Sequence, residues 1–185
     1  KRVVQMYERV VKAMTQRKLV IKGSLRRVGI IEKGTRVYSV EGRIEVLNRL
    51  VKSPMTTAVT HMAIVELYGL LDATEKHRRN IREALRPLAA HFPEITRFQE
   101  VPGMGFALSC RFSAYVEDAA RFPNKRKLWQ YCGLGISVRS SNDTPLGRER
   151  LDPRFVRPLK SMSRAAVLAA LRCKKDNVIK RMYQA

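Results

Sequence analysis

The sequence predicts a mainly α-helical protein, in which a basic helical or coiled-coil region precedes a compact α-helical domain containing a helix–hairpin–helix. Apolar residues recur at heptad spacing in two long stretches before residue 92, which is typical of paired helices. After residue 92 the apolar segments are shorter and are separated by Pro and Gly. Residues 1–91 and 92–185 are therefore predicted as two domains. Only Gly135–Ser140 is compatible with a short strand.

The first predicted helix is long and basic, and it ends near Gly29. Residues 1–36 contain eleven Lys and Arg against two Glu. One heptad stripe is formed by Val3, Tyr7, Val10, Met14, Ile21 and Val28, with Arg17 and Ser24 as polar interruptions. A break follows at residues 34–39.

The second helix is predicted over residues 41–52, with Ile44, Leu47 and Leu50 on one side. Ser53-Pro54 ends it, and Thr56 or Thr57 is a candidate cap for the third helix. The third helix is expected to continue to about His91, and Pro87 predicts a kink or an early end. Its heptad positions are Ala63, Leu67, Leu70, Thr74, His77, Ile81, Ala84 and Leu88.

Two helices with heptad stripes predict an antiparallel coiled-coil hairpin or one half of a dimer interface. Ordinary packing within a single helical bundle explains the same pattern. His77 occupies a heptad position and is expected to be packed, or to lie at a helix-pair interface, rather than to bind a ligand.

Five elements are predicted after residue 92. They are a helix to about Val101, a second helix through about Tyr115, a helix over Lys125–Tyr131, a Gly/Ser-rich loop over residues 133–147 and a helix over residues 154–172. A basic tail ends the chain.

The charge of the chain predicts a polyanionic partner. The formal net charge is +21 and the isoelectric point is about 10.7, which favours nucleic acid. No apolar run approaches the roughly 18 residues that a membrane span needs, so no membrane partner is expected. Cys110, Cys132 and Cys173 are predicted to be buried thiols. The histidines show no metal-ligand spacing, so no metal site is expected within the chain.

Pro102, Gly103, Met104 and Gly105 join two apolar helical segments, as in a helix–hairpin–helix. Backbone N–H groups at the start of the following helix can bind a phosphate. A purely structural turn is the alternative. Met104 is expected to seat the hairpin against the second helix.

Ser140 and Ser141 lie in the Gly/Ser-rich loop, in a region where Arg and Lys predominate. The candidate phosphate-binding cations are Arg139, Arg148, Arg150, Arg157, Lys160 and Arg164. Guanidinium groups stabilise charge on a transferring phosphoryl group, and a hydroxyl that attacks phosphorus forms a phosphoserine. A loop or a helix cap is the alternative explanation of the serines. Phe122, Trp129 and Tyr131 are predicted to lie in the core, with stacking on bases as the alternative.

An ordered set of motifs carries a resemblance to a known family. The set comprises V101-P-G-M-G-F-A-L, A119-A-R-F122, L128-x-x-Y131-C-G-L-G135, R139-S-S141, G147-R-E-R-L151 and L159-K160 before an Ala-rich helix. In this order, over residues 94–172, they resemble the C-terminal transposase domain of the insertion-sequence 110 family.

The resemblance implies an enzyme that cuts and rejoins DNA in the transposition of an insertion sequence. It implies a serine nucleophile at Ser141, where Asn142 replaces the family's Gly, with Ser140 as the alternative. It also implies a separate RuvC-type acidic domain that binds Mg²⁺, so these residues alone are expected to be inactive in DNA cleavage. The implied partners are DNA, a guide RNA and further copies of the chain in a dimer or tetramer, in the prokaryotic cytoplasm.

Two other functions remain compatible with the sequence. A non-catalytic helix–hairpin–helix module would bind DNA or RNA through its backbone. An RNA-binding structural protein of ribosomal type would explain the charge but not the ordered motifs from Val101 to Lys160.

Overall fold

The structure is a computed structural model that describes residues 1–137, 140–141, 144–145, 150–151 and 153–184. Eight α-helices occur in these ranges: α1 Arg2–Arg27, α2 Val40–Lys52, α3 Ala58–Ala90, α4 Pro93–Gln99, α5 Phe106–Val116, α6 Lys125–Tyr131, α7 Arg157–Arg172 and α8 Val178–Gln184. Short 3₁₀ turns lie at Arg36–Tyr38 and Ala119–Arg121. The predicted mainly α-helical fold class is therefore confirmed.

Among the described residues between α6 and α7 there are four two-residue strands. They are β1 Ile136–Ser137, β2 Ser140–Ser141, β3 Thr144–Pro145 and β4 Arg150–Leu151. β1 pairs with β4 and β2 pairs with β3, both antiparallel, so the inner pair is nested in sequence within the outer one. Extended segments therefore occur where a Gly/Ser-rich loop was predicted, and the short strand expected within Gly135–Ser140 is present as β1.

The chain divides into two compact units inside α3. One unit is Arg2–Leu85, and the other is Lys1 together with Arg86–Ala185. The domain boundary that the sequence places after residue 91 stays a prediction. None of the helices in the described ranges is both long enough and apolar enough to cross a membrane.

The unit Arg2–Leu85 is built around one core to which its three helices all contribute. The buried side chains are Ile21 and Leu25 from α1, Val46 and Leu50 from α2, Ile64, Tyr68 and Leu71 from α3, and Val28, Ile30 and Val37 from the segment between α1 and α2. Full burial of one such aliphatic side chain stabilises a fold by about 1.5–3 kcal/mol. This shared core orders the segment between α1 and α2 as well as the helices.

The core side of α3 differs from the predicted heptad stripe by about one position. Ile64, Tyr68 and Leu71 are buried, whereas Ala63, Leu70 and His77 are exposed. In the rest of the predicted stripe, Thr74 and Ile81 are buried, Leu67 is half-buried, and Ala84 and Leu88 are exposed. Apolar residues occupy adjacent positions along α3, so two helical faces satisfy the same pattern, and the face with the larger side chains is buried. His77 is exposed, so it is not packed in this core, and its place at a helix-pair interface stays a prediction.

Most of the observed helix caps and helix ends agree with those predicted from the sequence. Thr57 Oγ1 accepts a hydrogen bond from the Thr60 N–H at 3.2 Å and caps α3, as expected for one of the two threonines. Ile44, predicted on the apolar side of α2, is exposed, and Val46 is buried instead. Pro87 does not end α3, which continues to Ala90.

The second unit contains the predicted hairpin of α4 and α5. The rings of Phe98 and Phe112 meet edge to face at 4.8 Å between centroids, and the Ser113 hydroxyl donates to Glu94 Oε1 at 2.8 Å. These contacts hold α4 against α5. The bounds of α6 agree with the prediction, α7 begins at Arg157 rather than at 154, and the predicted basic tail contains the helix α8.

Candidate nucleic-acid interface

The turn between α4 and α5 is tight and depends on glycine. The Met104 N–H donates to the Val101 carbonyl at 2.9 Å. Gly103 has φ +84°, which is strained for any residue with a Cβ. Gly105 is the N-cap residue of α5. The Pro-Gly turn of the predicted helix–hairpin–helix is therefore present, with α4 and α5 as its helices.

Gly103 also faces the backbone of α7. A Cβ at this position would overlap the Ala166 carbonyl and would lie 2.9 Å from the Ala170 nitrogen. Ala166 and Ala170 are buried, so three small residues let the turn approach α7 closely. Packing against α7 alone therefore explains why position 103 is a glycine. This agrees with the alternative that the turn is purely structural.

The other predicted hairpin residues differ in exposure. Pro102 and Gly105 are exposed, and Met104 is half-buried. A Cβ at Gly105 would meet no atom within 4 Å. Among the four residues of the turn, Pro102 and Gly105 therefore remain accessible to a phosphate, and their role in binding stays a prediction.

A buried serine stabilises the turn from the inside. Ser109 is fully buried, and its hydroxyl lies 3.3 Å from the Gly105 carbonyl and 3.4 Å from the Met104 carbonyl. Sequence reasoning missed this residue because a serine in the middle of an apolar helix carries no distinctive signal. The hydrogen bonds connect the first turn of α5 to the hairpin.

Three of the predicted cations lie on one face of α7. Arg157, Lys160 and Arg164 are spaced by three and four residues, so they project from the same side of the helix. The buried residues of α7 are Leu159, Met162, Ala166 and Ala170, which lie on the opposite side at 100° per residue. The structure thus brings three sequence-predicted cations together on a face turned away from the core.

The start of α7 is anchored by Arg111 of α5. Its guanidinium donates to the Pro158 carbonyl and to Ser161 Oγ, both at 3.2 Å. Arg111 was not among the predicted residues, since one arginine in an apolar helix does not reveal its partner. The interaction fixes the end of α7 that carries Arg157 and Lys160.

The two candidate nucleophiles lie in β2. The backbone of Ser140 pairs with Pro145 and that of Ser141 with Thr144, and two residues separate β2 from β3. Arg150 belongs to β4. Arg139 and Arg148 lie outside the described residues. The catalytic role of the serines and the approach of the arginines to them stay predictions.

The three aromatic residues that were predicted to lie in the core differ in burial. Phe122 and Tyr131 are half-buried with ring centroids 5.2 Å apart, and the Arg121 guanidinium lies 4.9 and 4.7 Å from the two rings. Trp129 is 47% exposed. The core prediction is wrong for Trp129, because α6 packs through Leu128, Tyr131 and Cys132 and leaves the indole outside.

The cysteines also divide into two kinds. Cys110 and Cys132 are buried, and burial raises the pKa of both thiols. Cys173 is exposed, so the prediction that all three are buried is wrong for this residue, which follows the last turn of α7. Among the described residues, no group of three His, Cys, Asp or Glu is arranged to hold a metal ion.

Comparison with known protein families matches residues 95–184 to the family described as Transposase IS116/IS110/IS902. The matched segment begins in α4 and ends with α8, so it includes the hairpin, both strand pairs and the basic face of α7. Searches of curated proteins and of solved structures found no match.

Proposed function

Since residues 95–184 carry a transposase domain of the IS116/IS110/IS902 family, we propose that the chain is the C-terminal part of a DNA recombinase that uses a serine nucleophile. The family match carries this proposal, because domains of this family act in DNA transposition. The net charge of +21 supports DNA as the substrate.

The basic face of α7 is the proposed DNA-binding surface. Arg157, Lys160 and Arg164 lie opposite the buried face, and Arg111 fixes the end of the helix on which the first two lie. A row of cations on an anchored helix fits the phosphates of a duplex. Each neutralised phosphate releases condensed counterions, so binding should weaken steeply with salt.

The DNA-binding proposal is tested by the salt dependence of duplex affinity. We expect a slope of log K against log salt steeper than about −4, at roughly −0.9 per phosphate contact. Arg164→Ala should make the slope less negative by about 0.9. Lys76→Ala removes one exposed cation from α3, outside the matched segment, and is the matched control. Equal losses in the two variants would contradict a surface on α7.

The proposed chemistry is attack by a serine hydroxyl on the scissile phosphate, with Ser141 as the nucleophile and Ser140 as the alternative. The Oγ–P bond forms as the P–O bond to one sugar breaks. The hydroxyl proton leaves the serine, and the freed sugar oxygen takes up a proton. The phosphoserine retains the bond energy that rejoining needs, and the predicted arginines would stabilise the charge on phosphorus.

Strand-exchange assays with donor and target DNA test the catalytic part of the proposal. Ser141→Ala in the full-length protein should abolish exchange and leave duplex affinity unchanged. Thr144→Ala, at the position paired with Ser141 in the β2–β3 ladder, is the control and should retain exchange. Full exchange by both serine variants would instead support the non-catalytic helix–hairpin–helix module.

The remaining partners are proposed from the resemblance. Among the described residues, no group of His, Cys, Asp or Glu fits Mg²⁺. From the resemblance, the ion is proposed to bind the acidic domain of the full-length protein, and no step here depends on it. A guide RNA and a homo-oligomer are proposed in the same way. Exposed apolar side chains on α3, among them Val59, Met62 and Leu70, are candidates for contact between copies.

A further inference from the structure

The exposed face of α6 combines the protein's single tryptophan with two cations. Trp129 is 47% exposed in a helix whose other side is packed. The side chains of Lys125 and Arg126 are exposed beside it. An indole is among the side chains that gain most from burial, so its position on the surface needs an explanation.

The helical geometry places the indole between the two cations. At 100° per residue, Trp129 lies about 40° from Lys125 and about 60° from Arg126 around the axis of α6. Lys125 Nζ is 5.7 Å from the centroid of the indole ring. Positive charge is thus held over one face of an indole that is 47% exposed.

Contacts at the end of α6 hold this surface in place. The Leu134 N–H donates to the Trp129 carbonyl at 2.8 Å. The Tyr131 hydroxyl donates to the Tyr115 carbonyl at 3.2 Å, and the Tyr131 carbonyl accepts from the Val156 N–H at 3.0 Å. The helix is therefore bonded to α5 and to the start of α7, so its outer face is preorganised.

The cations on α6 are not explained by the stability of the helix. Lys125, Arg126 and Lys127 occupy its first turn, where the helix dipole disfavours positive charge. Asn124 already caps the helix, because its Oδ1 accepts from the Lys127 N–H at 3.1 Å. A polyanionic ligand at this face would compensate the unfavourable charge.

We propose that Trp129, Lys125 and Arg126 form a binding site for an unpaired nucleotide of a single-stranded nucleic acid. The base stacks on the indole and the neighbouring phosphates contact the two cations, which is the chemistry of sequence-tolerant single-strand binding. A paired base in a duplex has no free face for the indole. This inference rests on the proposed function, for which it names a ligand distinct from the duplex bound by α7.

The single tryptophan provides a direct readout of the site. The full chain is titrated with oligothymidylate, oligouridylate and a duplex of equal length, and tryptophan fluorescence is recorded. We expect quenching by one or both single strands, and the stronger of the two identifies DNA or RNA. Equal quenching by the duplex would overturn the assignment to unpaired bases.

Variants separate stacking from general electrostatic attraction. Because these variants lack the tryptophan, their affinity is measured by the anisotropy of a labelled oligonucleotide. Trp129→Ala should weaken single-strand binding by about 5- to 150-fold, whereas Trp129→Phe should retain part of the affinity. Lys125→Ala should reduce the salt dependence, and Lys174→Ala, an exposed cation beyond α7, is the control. Unchanged single-strand affinity in Trp129→Ala would overturn the proposal.

Duplex binding distinguishes a failure of this inference from a failure of the proposed function. If Trp129→Ala binds both ligands normally while Arg164→Ala loses duplex affinity, only the α6 site is wrong. If the wild-type chain binds no nucleic acid, both are wrong. A fluorescence change that depends on protein concentration without nucleic acid would assign the indole to a contact between copies and would overturn the α6 site.

Discussion

At the scale of single residues, the buried side chain of Tyr68 makes the stability of the first unit depend on pH. Its ring is buried, its hydroxyl donates to the Val37 carbonyl at 3.1 Å, and the Arg43 guanidinium lies 5.0 Å from its ring centroid. Burial raises the pKa of Tyr68 to about 12, from an ordinary value of 10.0. The folded state therefore holds the proton more tightly than the unfolded chain does.

The raised pKa of Tyr68 predicts a loss of stability at alkaline pH. The contribution is fully present below pH 10 and is lost as pH rises towards 12, because the unfolded chain releases its proton first. In a phenolate absorbance titration, the wild type should show a late step near pH 12 that Tyr68→Phe lacks. A step near pH 10 that is larger in the wild type than in Tyr68→Phe, with no late step, would contradict this.

The different exposure of the three cysteines predicts that a thiol reagent modifies one of them selectively. Cys173 is exposed, whereas burial raises the pKa of Cys110 and Cys132 and lowers the thiolate fraction of each. A disulfide reagent should therefore modify one thiol rapidly in the native protein and all three in denaturant. Cys173→Ser should remove the rapid phase. Rapid labelling of that variant would place a second thiol at the surface.

At the scale of elements, the hairpin turn offers a matched pair of glycine variants. Gly103→Ala forces a Cβ into left-handed backbone and into the backbone of α7, which should cost ~2–4 kcal/mol of unfolding free energy. Gly105→Ala meets open space and an ordinary φ of −75°, so the fold should retain its stability. Denaturant unfolding of both variants measures the difference.

The same pair distinguishes packing from phosphate binding in the turn. If the exposed backbone at Gly105 contacts phosphate, Gly105→Ala should weaken duplex affinity in a protein of normal stability. Unchanged affinity would make the turn purely structural. Equal stability of Gly103→Ala and the wild type would contradict the close contact with α7.

Some elements were predictable from the sequence because their signals are local. Lys125–Tyr131 is bounded by Asn124 as a cap and by Gly133 beyond its end, and the structure has the same bounds. The hairpin follows from Pro and Gly between two apolar segments. Two-residue strands such as β2 are too short to show an alternating pattern, so the ladder around the serines could not be predicted.

Other features depend on partners that are distant in the sequence. The buried face of α3 is decided by which side chains α1 and α2 present, and the apolar pattern alone permits two faces. The exposure of Trp129 follows from the packing of α6 through Leu128 and Cys132. The anchoring of α7 by Arg111 joins residues 47 and 50 positions apart.

At the scale of the whole molecule, the proposed chemistry and the packed helical core belong to different units. The family match covers residues 95–184, so the proposed chemistry belongs to the second unit. The first unit contributes a packed helical core and the exposed apolar side chains of α3. The charge of +21 belongs to the chain as a whole, and it favours nucleic acid at more than one surface.

A covalent-trapping experiment tests the serine nucleophile most directly. Full-length protein with guide RNA and Mg²⁺ is mixed with labelled donor DNA, denatured and separated on a gel. Wild type is compared with Ser141→Ala and Ser140→Ala. We expect a protein–DNA adduct that Ser141→Ala alone eliminates. An adduct that persists in both variants, or no adduct from a wild-type protein that binds the duplex, would contradict the serine nucleophile.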